Sequence, residues 1–329
     1  MKSKNRNSLI KKFLLIFTGL SAGVGIYHWI FFQMVNFFQP FWQTVVLRTP
    51  ASLESPQLLP HLVRPLGMIA VAGFCLSLEW ILVGTKKSAF AALTNWSDPS
   101  VKTDWFCFVV LSLMGLRSVF AALLSIGLTL GIQSLAGHYF HWNLISEFPI
   151  WGQLCILLML NPFIFYCNHR IMHAWFWDIH KVHHSATSMT ILTPHRNHPV
   201  DFIVVTVCNT VPAALLGCSF FSIAIYELLN GIYQSMVHSN AHWKSPWIDK
   251  FLLISPEAHR IHHSNNPEHF DKNFGVVVFW DWLFGTQLKP SDTEEPKEIG
   301  FHEDGLHNSG HPFLEMFQVL KMWFLRPKV

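Results

Sequence analysis

Charge is what this sequence has least of. Only 13% of its 329 residues are Asp, Glu, Lys or Arg, while 51% are hydrophobic. A water-soluble domain carries about 25% charged residues, so the balance points to a bilayer protein. The formal net charge of +3 is mild, and no basic stripe marks a nucleic-acid partner. Paired cysteines are also missing. Cys75, Cys107, Cys155, Cys167, Cys208 and Cys218 all lie in apolar stretches, none in a C-x-x-C pair, and read as small buried hydrophobes without disulfides. There is no C-x-x-C-H haem site, no G-x-G-x-x-G, no repeat and no low-complexity linker.

Long apolar runs are abundant. A span needs about 20 mostly apolar residues, and the candidates are Leu9 to Phe38, Leu66 to Val83, Phe106 to Leu135, Ile150 to Cys167, Phe202 to Cys218 and Phe220 to Val237. The last two form either two full spans or a shallow hairpin that turns near Gly217. The basic start "MKSKNRNSLIKKFLLIFTGL" leads into an apolar stretch longer than a signal core, with no A-x-A site, so a membrane anchor is expected. Lys2, Lys4, Arg6, Lys11 and Lys12 place the N-terminus inside, because basic loops stay cytoplasmic. Alternation then puts Lys86, Lys87, Lys102, Arg170, Lys181, Arg196 and everything from His238 onward on that side, leaving only Arg48 and Arg64 opposite. His28, Glu79 and Arg117 fall within candidate spans and are read as helix-end or interhelical groups.

The twenty histidines are the outlier. Four clusters lie at or beyond the cytoplasmic ends of spans: His169 with His173; His180, His183 and His184; His238 with His242; and His259, His262 and His263. Residues three and four apart share a helix face, so an i,i+4 pair can offer two imidazoles to one metal at about 2.1 Å. H-x-x-H-H adds a ring about 100° round the helix, enough to face two neighbouring ions. A lone pair of this kind is more often a plain polar face, but two triplets and two pairs on one side are not. Ten rings exceed the four a structural zinc takes, so a dinuclear site is expected, each ion with about five ligands and an exchangeable position.

His242, in "AHW", also suits an interfacial residue beside Trp243. His198 is a candidate further ligand or partner of a ligand, and His195 a weaker one. His269, His302, His307 and His311 read as solvated; His28, His61, His138 and His141 fall on or near the other side. Metal-bound imidazoles need their second nitrogen satisfied, and Asp178, Asp201, Glu257 and Asp281 are the nearby carboxylates, each equally suited to capping a helix.

With these motifs in place, the chain closely resembles the fatty acid hydroxylase/sterol desaturase superfamily of membrane di-iron enzymes. The likeness runs from Asn161 to Thr286 through "NHRIMH", "WDIHKVHHS", "TPHRNHPVD", "MVHSNAHW", "SPEAHRIHHS" and "NFGVVVFWDWLFGT". It implies an all-α integral membrane fold of about six membrane helices with a cytosolic helical cap carrying the histidine boxes. The divisions are N-terminal helices at 1–145, a catalytic core at 146–286 and a cytosolic tail at 287–329. It implies that the ten clustered histidines hold two iron ions, zinc being a substitute in purified protein, and that Asn273, Gly275, Asp281 and Gly285 belong to a motif closing the cap. The implied reaction uses O2 and external electrons on an unactivated C–H bond of a lipid, fatty acyl or sterol. The product is an alcohol or, by a second hydrogen abstraction, an alkene. The H-x-x-x-H spacing of the first box favours hydroxylation. With no fused electron carrier visible, a separate reductase, cytochrome b5 or ferredoxin is implied. The membrane is a bacterial inner membrane or the endoplasmic reticulum, with the site on the cytoplasmic face. A His-rich zinc transporter or sensor is the rival reading, opposed by ligands lying beyond the span ends instead of at the midplane.

Overall fold

The computed structural model describes residues 72–77, 79–81, 84, 88, 92–109, 131, 144–240, 246–301 and 311–325. They form helices and turns, with no β-strand among the described residues and two isolated bridges, Leu253 with Val277 and Ser264 with Ile299. The expected span Leu9 to Phe38 lies outside the described residues, as do parts of Leu66 to Val83 and all but a few residues of Phe106 to Leu135. His28, His61, Arg117, His138, His141, His242, His302 and His307 lie outside them too.

Helix α1, Pro99–Phe106, starts as its sequence dictates: the Asp98 side chain accepts from Ser100 N and Pro99 takes the first helical position, where its missing N–H costs nothing. Helix α2, Ile150–Trp175, is the long element. Its 26 residues extend about 39 Å at 1.5 Å each, more than a hydrocarbon core of about 30 Å. His169 and His173 stand on its last turns. Helix α3, Trp177–His184, follows after a single residue, Phe176, whose φ of −122° breaks the helical path.

Helices α4, Pro199–Leu216, and α5, Phe220–Val237, follow one another through a short turn, and each packs on α2. The reversal is built on Gly217 at φ +75°: Cys218 N bonds Ala213 O and Gly217 N bonds Ala214 O, a Schellman ending that needs a left-handed residue. Buried Gln153 ties this turn to the start of α2. Its Oε1 accepts from Ser219 N at 2.6 Å and Ser222 Oγ at 2.8 Å, and its Nε2 donates to Phe148 O at 2.9 Å. Two helices among the described residues, α2 and α4, are long and apolar enough to cross a membrane. Helix α5 is as long as α4 but is interrupted by Glu227, Asn230 and Gln234.

At the end of the bundle opposite Gln153 the chain builds a layer of short helices: α6 (Pro246–Phe251), α7 (Pro256–His262) and α8 (Val278–Leu283). Ser255 caps α7 by accepting from Ala258 N at 3.2 Å, with Pro256 and Glu257 in its first turn, the residue order that starts a helix. Helix α9, Pro312–Leu325, packs on α3. There Met316 and Val319 share a buried cluster with Met172, Ile179, Val182 and Cys107. The six cysteines are all free.

Candidate metal centre

Four elements bring histidines to one place. His169 and His173 stand on the last turns of α2, His180, His183 and His184 on α3, His238 at the C-cap of α5, and His259, His262 and His263 at the end of α7. Their ring nitrogens form two groups of four: His169, His173, His180 and His184; and His183, His238, His259 and His263. His184, His262 and His263 form a third set joining them, and within each set the ligand atoms lie within 4.8 Å of one another. The structure thus brings together nine of the ten clustered histidines. The tenth, His242, lies outside the described residues.

Hydrogen bonds on the outer side of the rings fix which nitrogen faces inward. His169 Nδ1 lies 2.8 Å from Phe274 O, His183 Nδ1 3.2 Å from Arg196 O, His238 Nδ1 2.8 Å from Gln234 O, and His262 Nδ1 2.6 Å from Lys272 O. A carbonyl oxygen only accepts, so each Nδ1 carries the hydrogen and each neutral ring presents a bare lone pair at Nε2. Those lone pairs point at each other: His169 Nε2 is 3.1 Å from His262 Nε2, and His183 Nε2 is 3.2 Å from His238 Nε2. His173 and His184 meet at 3.2 Å, and His259 stands 2.9 Å from His238 and 3.2 Å from His263, all through Nε2. His180 Nε2 is buried with no hydrogen-bond partner.

Protonation is a poor remedy for these facing lone pairs. Loss of solvation, and then repulsion between rings, hold His183, His184, His259, His262 and His263 well below the ordinary imidazole range. Burial lowers His238 to about 4 against the opposing pull of Gln234 O. A cation removes the conflict. Two nitrogens each about 2.1 Å from one ion stand about 3.0 Å apart at a right angle, which matches the observed spacings. The donor set is all imidazole, suited to iron, zinc or copper and not to calcium or magnesium.

The carboxylates singled out in the sequence take different places. Asp201, in the first turn of α4, meets His180 Nδ1 at 2.8 Å. Asp281 contacts no ring. It accepts from Phe274 N at 2.8 Å, Gly275 N at 2.7 Å and Thr286 Oγ1 at 2.7 Å, and so folds the turn whose Phe274 carbonyl holds His169. Asp178 pairs with Lys181 at 3.1 Å, and Glu257 lies 3.9 Å from Arg260. His198 caps α4, accepting from Val200 N at 3.1 Å, while its other nitrogen meets Met316 O at 3.1 Å; both its ring nitrogens are engaged away from the cluster. His195 packs edge-on to Phe108. His269, expected to be solvated, is instead buried, because the short turn Pro267–His269 folds its Nε2 to 2.9 Å from Thr293 Oγ1.

Asn273 sits at φ +56° and bridges three backbone groups: Nδ2 donates to Ala258 O and Leu288 O, and Oδ1 accepts from Leu288 N at 2.8 Å. At Gly275 an added Cβ would stand 2.7 Å from Asp281 Oδ2 and 2.9 Å from Val277 O, so only glycine fits. Gly285, at φ +71°, ends α8.

Sequence reasoning did not find the carbonyl partners of Phe274, Lys272, Arg196 and Gln234, since any residue type supplies a carbonyl. It also missed Trp177, whose ring contacts His173 and His184 at 5.1 and 5.2 Å, and Asp271, an exposed carboxylate 3.6 Å from His173 Nδ1.

Residues 154–286 match the family described as Fatty acid hydroxylase, and this interval holds every one of the nine converging histidines. The chain is similar to alkylglycerol monooxygenase of Caenorhabditis elegans, 28% identical over 137 residues that make up 39% of this chain and 26% of that protein. It is similar to very-long-chain aldehyde decarbonylase GL1-11 of Oryza sativa subsp. indica, 29% identical over 172 residues, 51% of this chain and 60% of the relative. Methylsterol monooxygenase 2-2 of Arabidopsis thaliana is 27% identical over 166 residues, covering 47% and 62%. The chain thus spans less than two thirds of the length of each of these relatives. No solved structure matches. Residues 154–286 therefore resemble a fatty acid hydroxylase domain, and the three relatives share a likeness to the chain.

Proposed function

We propose that this protein is a membrane-bound lipid hydroxylase that holds two iron ions between its histidines and uses O2 with externally supplied electrons. The observation that carries the reading is the pairing of Nε2 lone pairs, His169 with His262 and His183 with His238, each locked in place by an outward Nδ1–H bond to a carbonyl. One ion would take His169, His173, His180 and His184, with His262 beside His169, and the other His183, His238, His259 and His263. Bound iron supplies the activation of O2 and the abstraction of hydrogen from an unactivated C–H bond.

The chain's own residues supply position and exclusion of water. Asp201 fixes the His180 tautomer and strengthens that ring as a donor. The rings of both groups are almost wholly buried, His173 alone being slightly open to solvent, so the reacting centre is shielded from side reactions with water. The site stands at the end of α2, α4 and α5, where an apolar chain can enter between helices while its polar head stays at the interface. That geometry, with the substrates in the names of the relatives, an alkylglycerol and a methylsterol among them, supports a lipid substrate. The full set of about six spans, the cytoplasmic position of the site and a separate reductase, cytochrome b5 or ferredoxin belong to the same reading.

The test is a comparison of whole-cell lipids by mass spectrometry, with and without the protein and with the His180→Ala variant. A lipid species that gains one oxygen atom only with the unaltered protein is the expected result. Loss of two hydrogens in its place would make the enzyme a desaturase, and no change in any lipid would defeat the proposal.

A further inference from the structure

Beyond the nine histidines, a buried polar cluster among the described residues reaches the site through the Arg196 backbone. Arg196 is 0% exposed, and its Nε donates to Asp104 Oδ1 at 2.7 Å. Its other nitrogens donate to Ser185 Oγ at 3.0 Å, to Ser100 Oγ at 3.0 Å and to the Ser100 carbonyl. Asp104, also 0% exposed, accepts from Thr193 Oγ1 at 2.9 Å and Thr190 Oγ1 at 3.1 Å through its second oxygen. The segment joining α3 to α4 is therefore fastened at Thr187, Thr190, Thr193 and Arg196 to one carboxylate and one serine of α1.

The backbone of that anchored arginine is what holds a cluster ring: the Arg196 carbonyl receives His183 Nδ1–H at 3.2 Å. Arg196 N–H also donates to Thr193 O at 3.0 Å, and Asp104 holds both residues, so the carboxylate fixes the turn from which the Arg196 carbonyl points. His180 is held otherwise, by Asp201 in α4, whose N-terminus is set by His198 and the Met316 carbonyl. Asp104 lies outside the matched interval of 154–286.

We infer that Asp104, through Arg196, is the positioning residue for the ion held by His183, His238, His259 and His263, so that the segment preceding the fatty acid hydroxylase domain completes one half of its metal centre. This rests on the two-ion reading above. Replacing Asp104 by Asn removes a carboxylate charge from a buried guanidinium, which is costly. The arginine moves, its carbonyl turns, and His183 is free to rotate or to change tautomer. The first group keeps all its own partners.

The experiment is a cobalt(II) titration of the full-length protein, metal-free and in detergent, followed by visible absorption. The unaltered chain is expected to take two equivalents. Asp104→Asn is expected to bind one as the unaltered chain does and the other about 10- to 100-fold more weakly, the usual effect of losing an outer partner. Its one-equivalent spectrum should match that of His238→Ala and differ from that of His180→Ala. Unchanged affinity for both ions overturns the inference, as does an equal weakening of both or a spectrum matching His180→Ala. Fewer than two equivalents in the unaltered chain would instead defeat the two-ion reading itself. If Asp104→Asn does not fold, Ser185→Ala removes one guanidinium bond and spares the ion pair. A several-fold weakening confined to the same ion is then expected, and no weakening overturns the inference.

Discussion

His180 Nδ1 and an oxygen of Asp201 stand 2.8 Å apart, and both groups are buried. Among the described ligand rings this is a carboxylate contact, where His169, His183, His238 and His262 meet carbonyls. A carboxylate accepts without donating, so it sets the His180 tautomer and turns Nε2 inward. Asp201→Asn keeps the size but permits the amide to present its NH2 to the ring. The expected result is a loss of about 10- to 100-fold in affinity for the ion at His169, His173, His180 and His184, read by competition with a chelator. An unchanged affinity would show that the contact does not tune the ligand.

Gly275→Ala tests the turn beneath His169. The new methyl cannot coexist with Asp281 Oδ2 and Val277 O at 2.7 and 2.9 Å, so the Asp281 carboxylate must release one of its two backbone N–H bonds. Overpacking of this kind costs about 1–3 kcal/mol. A lower thermal midpoint is expected together with weaker metal binding, since the Phe274 carbonyl moves with the turn. A variant that melts lower yet binds metal normally would separate the turn from the ligand.

Acid should destabilise the metal-free protein. His183, His184, His238, His259, His262 and His263 all have folded-state values below the ordinary one, His238 at about 4. The unfolded chain therefore takes up these protons first, beginning near pH 6.5, and stability falls as pH drops below that value and toward the folded-state values. Differential scanning fluorimetry from pH 7 to about pH 5 is expected to show a falling midpoint, with bound metal raising it at neutral pH. A flat profile for the metal-free form would mean that the rings are not buried together.

Much of this centre was legible before any coordinates. The i,i+4 pair His169 and His173 does share a face at the end of α2, and the first H-x-x-H-H run does place its successive rings His183 and His184 in different groups of four. Helical spacing alone decides that. What holds the rings was less legible. Asp201 was one of four carboxylates with equal claims, and only the path of the chain brings it, and not Asp178 or Glu257, to a ring. Asp104 carries no signal at all: it lies in α1, ninety-two residues from Arg196. His269 misled because a polar neighbourhood in sequence says nothing about a turn that folds it inward. The membrane reading was legible for α2 and α4 from apolar length, whereas α5 mixes Glu227, Asn230 and Gln234 into the same length.

The most direct test of the central claim is the metal content of full-length protein purified without oxygen, measured by elemental analysis beside His180→Ala and His238→Ala, one from each group of four. Two ions per chain in the unaltered protein, and a single ion retained by each variant, is the result expected from two imidazole groups sharing a boundary. One ion per chain, indifferent to both substitutions, would contradict it.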